Sequence, residues 1–332
     1  TAVADIGQHI FREVFFVTDL TNVIAHFFQS QRGIHIRNKE FFKIADTVSV
    51  LRDGMHIDTL PVADVDRPKL ISLMVGRDLA NEYPKLDAEI GDVLLEVKDL
   101  CKHAVFKNIY FQLHRGEVLG LAGVVGSGVE EVCEVICGDE KPTHGEIVIR
   151  GQEVNLKNPK HALEESILMI PKERLFEGIV SGLSVEENIA MSNAKQLAKG
   201  PFISAKAIRE QADGWIKRLR IKTPGPEAML LQLSGGNQHK VVFSRALASE
   251  AEIVILNHPT RGVDVGAKAE IYDLIRDMTD AGKGVIVLGD TVDEYLGLCS
   301  RMIVMKDGII TGEFDCPADN KPEQAAIVSL MM

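Results

Sequence analysis

The chain has 332 residues, 45% of them hydrophobic, enough for about two domains with buried cores and too apolar for disorder. Its net charge is −11 with acidic and basic residues interspersed, so no basic block offers itself to a nucleic-acid backbone and that partner class is excluded as a default. No basic-then-apolar leader opens it and no apolar run approaches the roughly 18 residues of a membrane span; the five cysteines, with no C-x-x-C pair, suit a reducing compartment, so a cytoplasmic protein is expected.

The first residue is Thr, which leaves room for sequence upstream. Residues 14–21 (VFFVTDLT) have strand character and can be laid on residues 253–260 (IVILNHPT). In that overlay Gly33 follows Thr21 by 12 positions whereas Gly284 follows Thr260 by 24, so the intervening helix cannot fit. Residues 1–43 are therefore expected to be a remnant without an active site. Residues 44–60 (IADTVSVLRDGMHIDTL) read as strand, D-G turn, strand. They match residues 298–314 (LCSRMIVMKDGIITGEF), with Val50 on Val304, Asp53 on Asp307 and Gly54 on Gly308. LISLMV at 70–75 is echoed by IVSLMM at 327–332, so one unit closes twice. The division expected is 1–85 for the tail of a first unit, 86–92 for a polar linker and 93–332 for a complete second unit.

The second unit alternates short β-rich runs with longer helical patterns, the signal for a mainly parallel sheet with crossover helices. EVLGLAG (117–123) is of strand length, and VEEVCEVICG (129–138) has apolar residues at helical spacing. Between them Gly123, Val124, Val125, Gly126, Ser127, Gly128, Val129 and Glu130 have the glycine spacing of a loop that wraps phosphate. Val129 and Glu130 stand where such a loop places Lys and Ser or Thr. Alone, the stretch reads equally well as a tight strand-to-helix turn. Cys133 and Cys137 lie one helical turn apart without ligand partners nearby, and no metal site is expected there. Further on come LSGGNQ (233–238), a helical run, and a buried strand ending in Asn257, His258 and Pro-Thr.

A degenerate glycine loop, LSGGNQ about a hundred residues later and that strand end, in this order, resemble the nucleotide-binding domain of an ATP-binding cassette (ABC) transporter. PTRGVDVGAK, MVGRDLANEYP, IPKERLFEGIVSGLSVEENI and YLGLCSRMIVMKDG resemble the double-cassette ATPase subunits of bacterial monosaccharide importers of the ribose, galactose and xylose type. The resemblance covers nearly all of 93–332, and 44–85 as the tail of a first cassette. It implies an α/β fold: a P-loop domain with a mainly parallel sheet core, a β-subdomain and a helical signature subdomain.

The resemblance also implies roles. Gly123 to Glu130 form the Walker A loop. Ser234, Gly235, Gly236 and Gln238 form the signature motif, which in this family caps the γ-phosphate bound by an opposite cassette. Asn257 stands at the Walker B Asp that orders Mg²⁺, His258 at the catalytic Glu, Asp264 at the D-loop Asp and Asp290 at the switch histidine. Lys172, Glu173 and Arg174 replace the usual Q-loop residues. His103 or Phe106 could stack on adenine, although Phe106 also reads as core. ATP bound weakly, doubtful Mg²⁺ and little or no hydrolysis follow from the departures, with a degenerate general-base role for His258. The implied partners are membrane permease subunits, a second cassette and, indirectly, a periplasmic or surface sugar-binding protein, with the chain peripheral on the inner face of the membrane. The other readings are a catalytically dead cassette kept as a structural or regulatory partner, and a cassette protein of translation or repair. The latter is disfavoured by the lack of basic patches and coiled-coil insertions.

Overall fold

The computed structural model describes residues 13–17, 45–52, 55–66, 69–70, 72–73, 83, 88–199, 202–263, 265–317 and 319–332. Most of the 1–43 remnant, the Asp53–Gly54 turn, the end of the first LISLMV segment, part of the linker and Asp264 lie outside them. The chain divides into two compact units, residues 1–82 with 262–269 and residues 83–261 with 270–332.

In the first unit β1 (Glu13–Val17) runs parallel to β2 (Thr47–Arg52), which turns back into the antiparallel β3 (Met55–Pro61). Val48, Val50, Val65 and Leu70 form its core. The antiparallel pair carries a register shift between Val50 and Leu51.

The second unit begins β4 (Val93–Lys102), β5 (Phe106–His114) and β6 (Val118–Gly123), which leads into α1 (Val129–Ile136). Next come β7 (His144–Ile149), β8 (Gln152–Val154), α2 (Pro159–Glu164) and β9 (Ile167–Ile170). A helical lobe follows with α3 (Val185–Ala190), the short pair β10 (Ala198–Lys199) and β11 (Phe202–Ile203), α4 (Ala205–Arg218) and α5 (Gly235–Ala248). The chain then runs β12 (Ile253–Asn257), α6 (Val265–Asp280), β13 (Gly284–Leu288), α7 (Val292–Leu298), β14 (Arg301–Lys306), β15 (Ile309–Asp315) and α8 (Gln324–Met331).

The main sheet has the order β15-β14-β6-β13-β12-β9, parallel except for β15. Its middle strands are continuous apolar runs because both faces are covered: every residue of β12 and β13 is buried. A smaller antiparallel sheet has the order β5-β4-β7-β8. The parallel core, β-subdomain and helical lobe are the architecture the sequence predicts.

The internal repeat holds at the level of backbone geometry, since β14 and β15 shift register between Val304 and Met305, matching the shift after Val50. The overlay of 14–21 on 253–260 does not carry into the sheets. β2 corresponds to β14, whose parallel neighbour is β6, with β12 two strands beyond; β1 therefore stands where β6 stands.

In the helical lobe, Ser184 and Glu187 form a capping box that starts α3. Phe243 on α5 is fully buried. Phe243→Ala is expected to cost about 3–5 kcal/mol through lost burial and a residual cavity, measured as a lowered midpoint in denaturant unfolding.

Candidate functional site

Because β6, β9, β12 and β13 run parallel, their carboxyl ends share one edge of the sheet, and four segments distant in sequence meet there. At the end of β6 the glycine loop turns through Gly126 (φ 84°) and Gly128 (φ 95°), left-handed conformations that favour glycine. A Cβ on Gly126 would meet nothing within 4 Å, so its face is open. Val125 is fully exposed at the loop's tip. Ser127 turns inward, 1% exposed, and its Oγ has no hydrogen-bond partner among the described residues. Gly308, from the second D-G turn, donates its N–H to the Ser127 carbonyl at 3.0 Å and so ties the loop to the β14–β15 turn.

Val129, where the glycine spacing would place a lysine, is 7% exposed and packs into the main core. Glu130, on the first turn of α1, forms an ion pair with Lys172 beyond the end of β9. Its other oxygen lies 3.7 Å from His258 Nε2, and His258 Nδ1 lies 2.8 Å from Asp290 Oδ1 beyond the end of β13. That last pair is close but not aligned for a hydrogen bond, so the buried Nδ1 is unsatisfied among the described residues. His258 holds φ 49°, uncommon for a residue with a Cβ, and donates its N–H to the Leu288 carbonyl at 2.9 Å. Asn257 is 5% exposed with Oδ1 likewise unpartnered. The hydrogen bond that Lys172 donates to Glu130, outweighing burial, pushes the Lys172 pKa up.

The Asp290 loop is held by Glu294, a 1% exposed carboxylate that sequence reasoning missed. Its Oε2 accepts from the Asp290 N–H at 2.9 Å, and its Oε1 accepts from Thr260 Oγ1 at 2.6 Å. One buried side chain thereby fixes the chain just beyond both β12 and β13.

The LSGGNQ segment opens α5, with Ser234 exposed at the N-cap and its Oγ accepting from Asn237 Nδ2 at 2.8 Å. Gly235 and Gly236 form the first turn. Gln238 is buried, and its amide donates to the Leu233 and Leu230 carbonyls at 3.0 and 3.4 Å, holding the preceding turn. Arg174 Nη1 donates to His239 Nδ1 at 2.6 Å, and burial followed by the Arg174 charge pushes that histidine's pKa down to about 4.

Near the glycine loop, His103, Lys102, Thr143, Asp307 and Gly308 line an open cleft of about 370 Å³. Phe106 contributes to the cleft wall but is 3% exposed and belongs to the core, whereas His103 on the same cleft is exposed. Cys133 and Cys137 are both buried in the core. Among the described residues no helix is long and apolar enough to cross a membrane.

A glycine loop between a parallel strand and a helix, with a second glycine-rich helix start on a separate lobe, defines an ABC-type P-loop ATPase fold. Residues 106–261 match the ABC transporter family model. The chain is 40% identical over 302 residues to an import ATP-binding protein of Pseudomonas fluorescens named for ribose, galactose and methyl galactoside, covering 90% of this chain and 59% of that protein. It is 40% identical over 281 residues to the ribose import ATP-binding protein of Clostridium perfringens, covering 84% of this chain and 56% of that one. A post-hydrolysis dimer of an ATP-binding cassette bound to ADP and Pi superimposes with a TM-score of 0.59 at 23% identity, covering 68% of this chain and 100% of that one. A nucleotide-free cassette from an ABC transporter gives 0.61 at 19%, covering 73% and 99%. The second unit is an ATP-binding cassette of the ABC transporter family. The chain spans less than two thirds of the length of these import proteins.

Proposed function

We propose that the chain is an ATP-binding subunit of a monosaccharide import system whose own catalytic half-site is impaired and whose signature motif completes the site of another cassette. The observation that carries this reading is the contrast between two helix starts. At α1 the phosphate loop is kept, but its metal corner is filled by the chain's own charges; at α5 Ser234 is exposed and its two glycines are half-buried on the first turn. An open glycine turn, an unpartnered Ser127 Oγ and the N-terminus of α1 fit a phosphate. Mg²⁺ does not fit, since it wants anionic or hydroxyl oxygens turned toward it. Here one Glu130 oxygen is on Lys172, the other faces His258, and Asn257 offers a neutral amide.

Permease subunits and a second cassette are the partners of this reading, with a sugar-binding protein acting indirectly and the chain peripheral on the inner face of the membrane. The sugar is chosen by those partners. A dead cassette retained as a structural or regulatory partner is the second reading, favoured by the burial of Val129; nucleotide protection without any contribution to a partner's turnover would select it.

A missing charge-assisted contact is worth roughly 1.5–3 kcal/mol, so calorimetry should find ATP about tenfold or more weaker than at a lysine-bearing loop, and scarcely tighter with Mg²⁺. Tight, strongly Mg²⁺-dependent binding would overturn the impaired reading.

A further inference from the structure

We infer that Lys172 is a nucleotide ligand: its ammonium occupies the corner where a metal would stand and meets the terminal phosphate of ATP, bridging it to Glu130. This deepens the proposed nucleotide binding and rests on it. Lys172 lies two residues beyond β9, on the sheet edge that carries the glycine loop. Its side chain is about one third exposed. An ammonium has three donors, and Glu130 takes one, leaving others for phosphate oxygens.

Glu130 explains why the cation is there. The N-terminus of α1 favours an anion, and Glu130 on its first turn supplies one. A phosphate brought to the loop would meet that carboxylate's repulsion unless a cation lay between them, and Lys172 is the cation paired with it. Arg261 and Glu177 also lie within electrostatic range of Lys172, with opposite effects. His258, between Glu130 and Asp290, occupies the remaining side of the corner, so a divalent cation would face an ammonium and an imidazole rather than oxygens.

The test is ATP and ADP binding to the whole chain in EDTA, compared among the unmodified chain, Lys172→Gln, Glu130→Gln and the double variant, each checked for an unchanged unfolding midpoint. In the Glu130→Gln background, where no unpaired carboxylate is left behind, Lys172→Gln should weaken ATP by about tenfold or more and ADP by much less. A double variant binding ATP as tightly as Glu130→Gln would reduce Lys172 to a screen for Glu130 and overturn the inference. So would tighter ATP binding by Lys172→Gln, the mark of a lock on the loop. If the unmodified chain binds neither nucleotide with or without Mg²⁺, the nucleotide reading itself fails. If it binds but needs Mg²⁺ and ignores Lys172, this inference alone fails.

Discussion

The purified chain is expected to hydrolyse ATP no faster than the buffer background. A positioned general base alone is typically worth about 10²- to 10⁴-fold, and a metal that polarises the phosphoryl group adds to that. His258 stands where the family resemblance implies the base, but the ring is wedged between two carboxylates, 3.7 Å from Glu130 Oε1 and 2.8 Å from Asp290 Oδ1, on backbone at φ 49°. An imidazole held that way is placed to stabilise the local fold rather than to draw a proton from water. His258→Ala should therefore leave the background rate unchanged in a malachite-green or coupled assay. Turnover in the parent chain that vanishes in His258→Ala would make the histidine the base.

In an assembled complex, Ser234→Arg is expected to abolish ATP hydrolysis while leaving this chain folded. Ser234 is exposed at the N-cap of α5, and its side chain makes a local hydrogen bond to Asn237, so removing it disturbs little inside the chain. Presented to another cassette, the same surface is a helix N-terminus with glycines that allow close approach to a γ-phosphate. An arginine there would fill the space the phosphate and the partner's loop must share. Complex turnover and circular dichroism measured side by side separate the two effects. An unaltered rate with Ser234→Arg, or the failure of any second cassette to associate, would leave the chain without a role in trans.

Several features were legible in the sequence because they answer to local rules. The turns at Gly126 and Gly128 need left-handed backbone, so glycine spacing revealed a loop; continuous apolar residues at 253–256 revealed a strand covered on both faces; the match of Val50 to Val304 revealed a repeat whose register shifts coincide. LSGGNQ marked a helix start because a serine beside two glycines suits the first turn, and Ser234 is the N-cap residue of α5. What residues 129, 130, 172 and 238 do was decided only by the tertiary structure. Val129 turns into the core, and Gln238 is used up on the carbonyls of its own turn. Glu130 finds Lys172 across 42 residues, with His258 and Asp290 completing the chain of charges. Each of these residues follows a different element, and only the order of parallel strands brings those elements to one edge. That order is set by burial and hydrogen bonding summed over the whole sheet, which no single stretch of sequence contains.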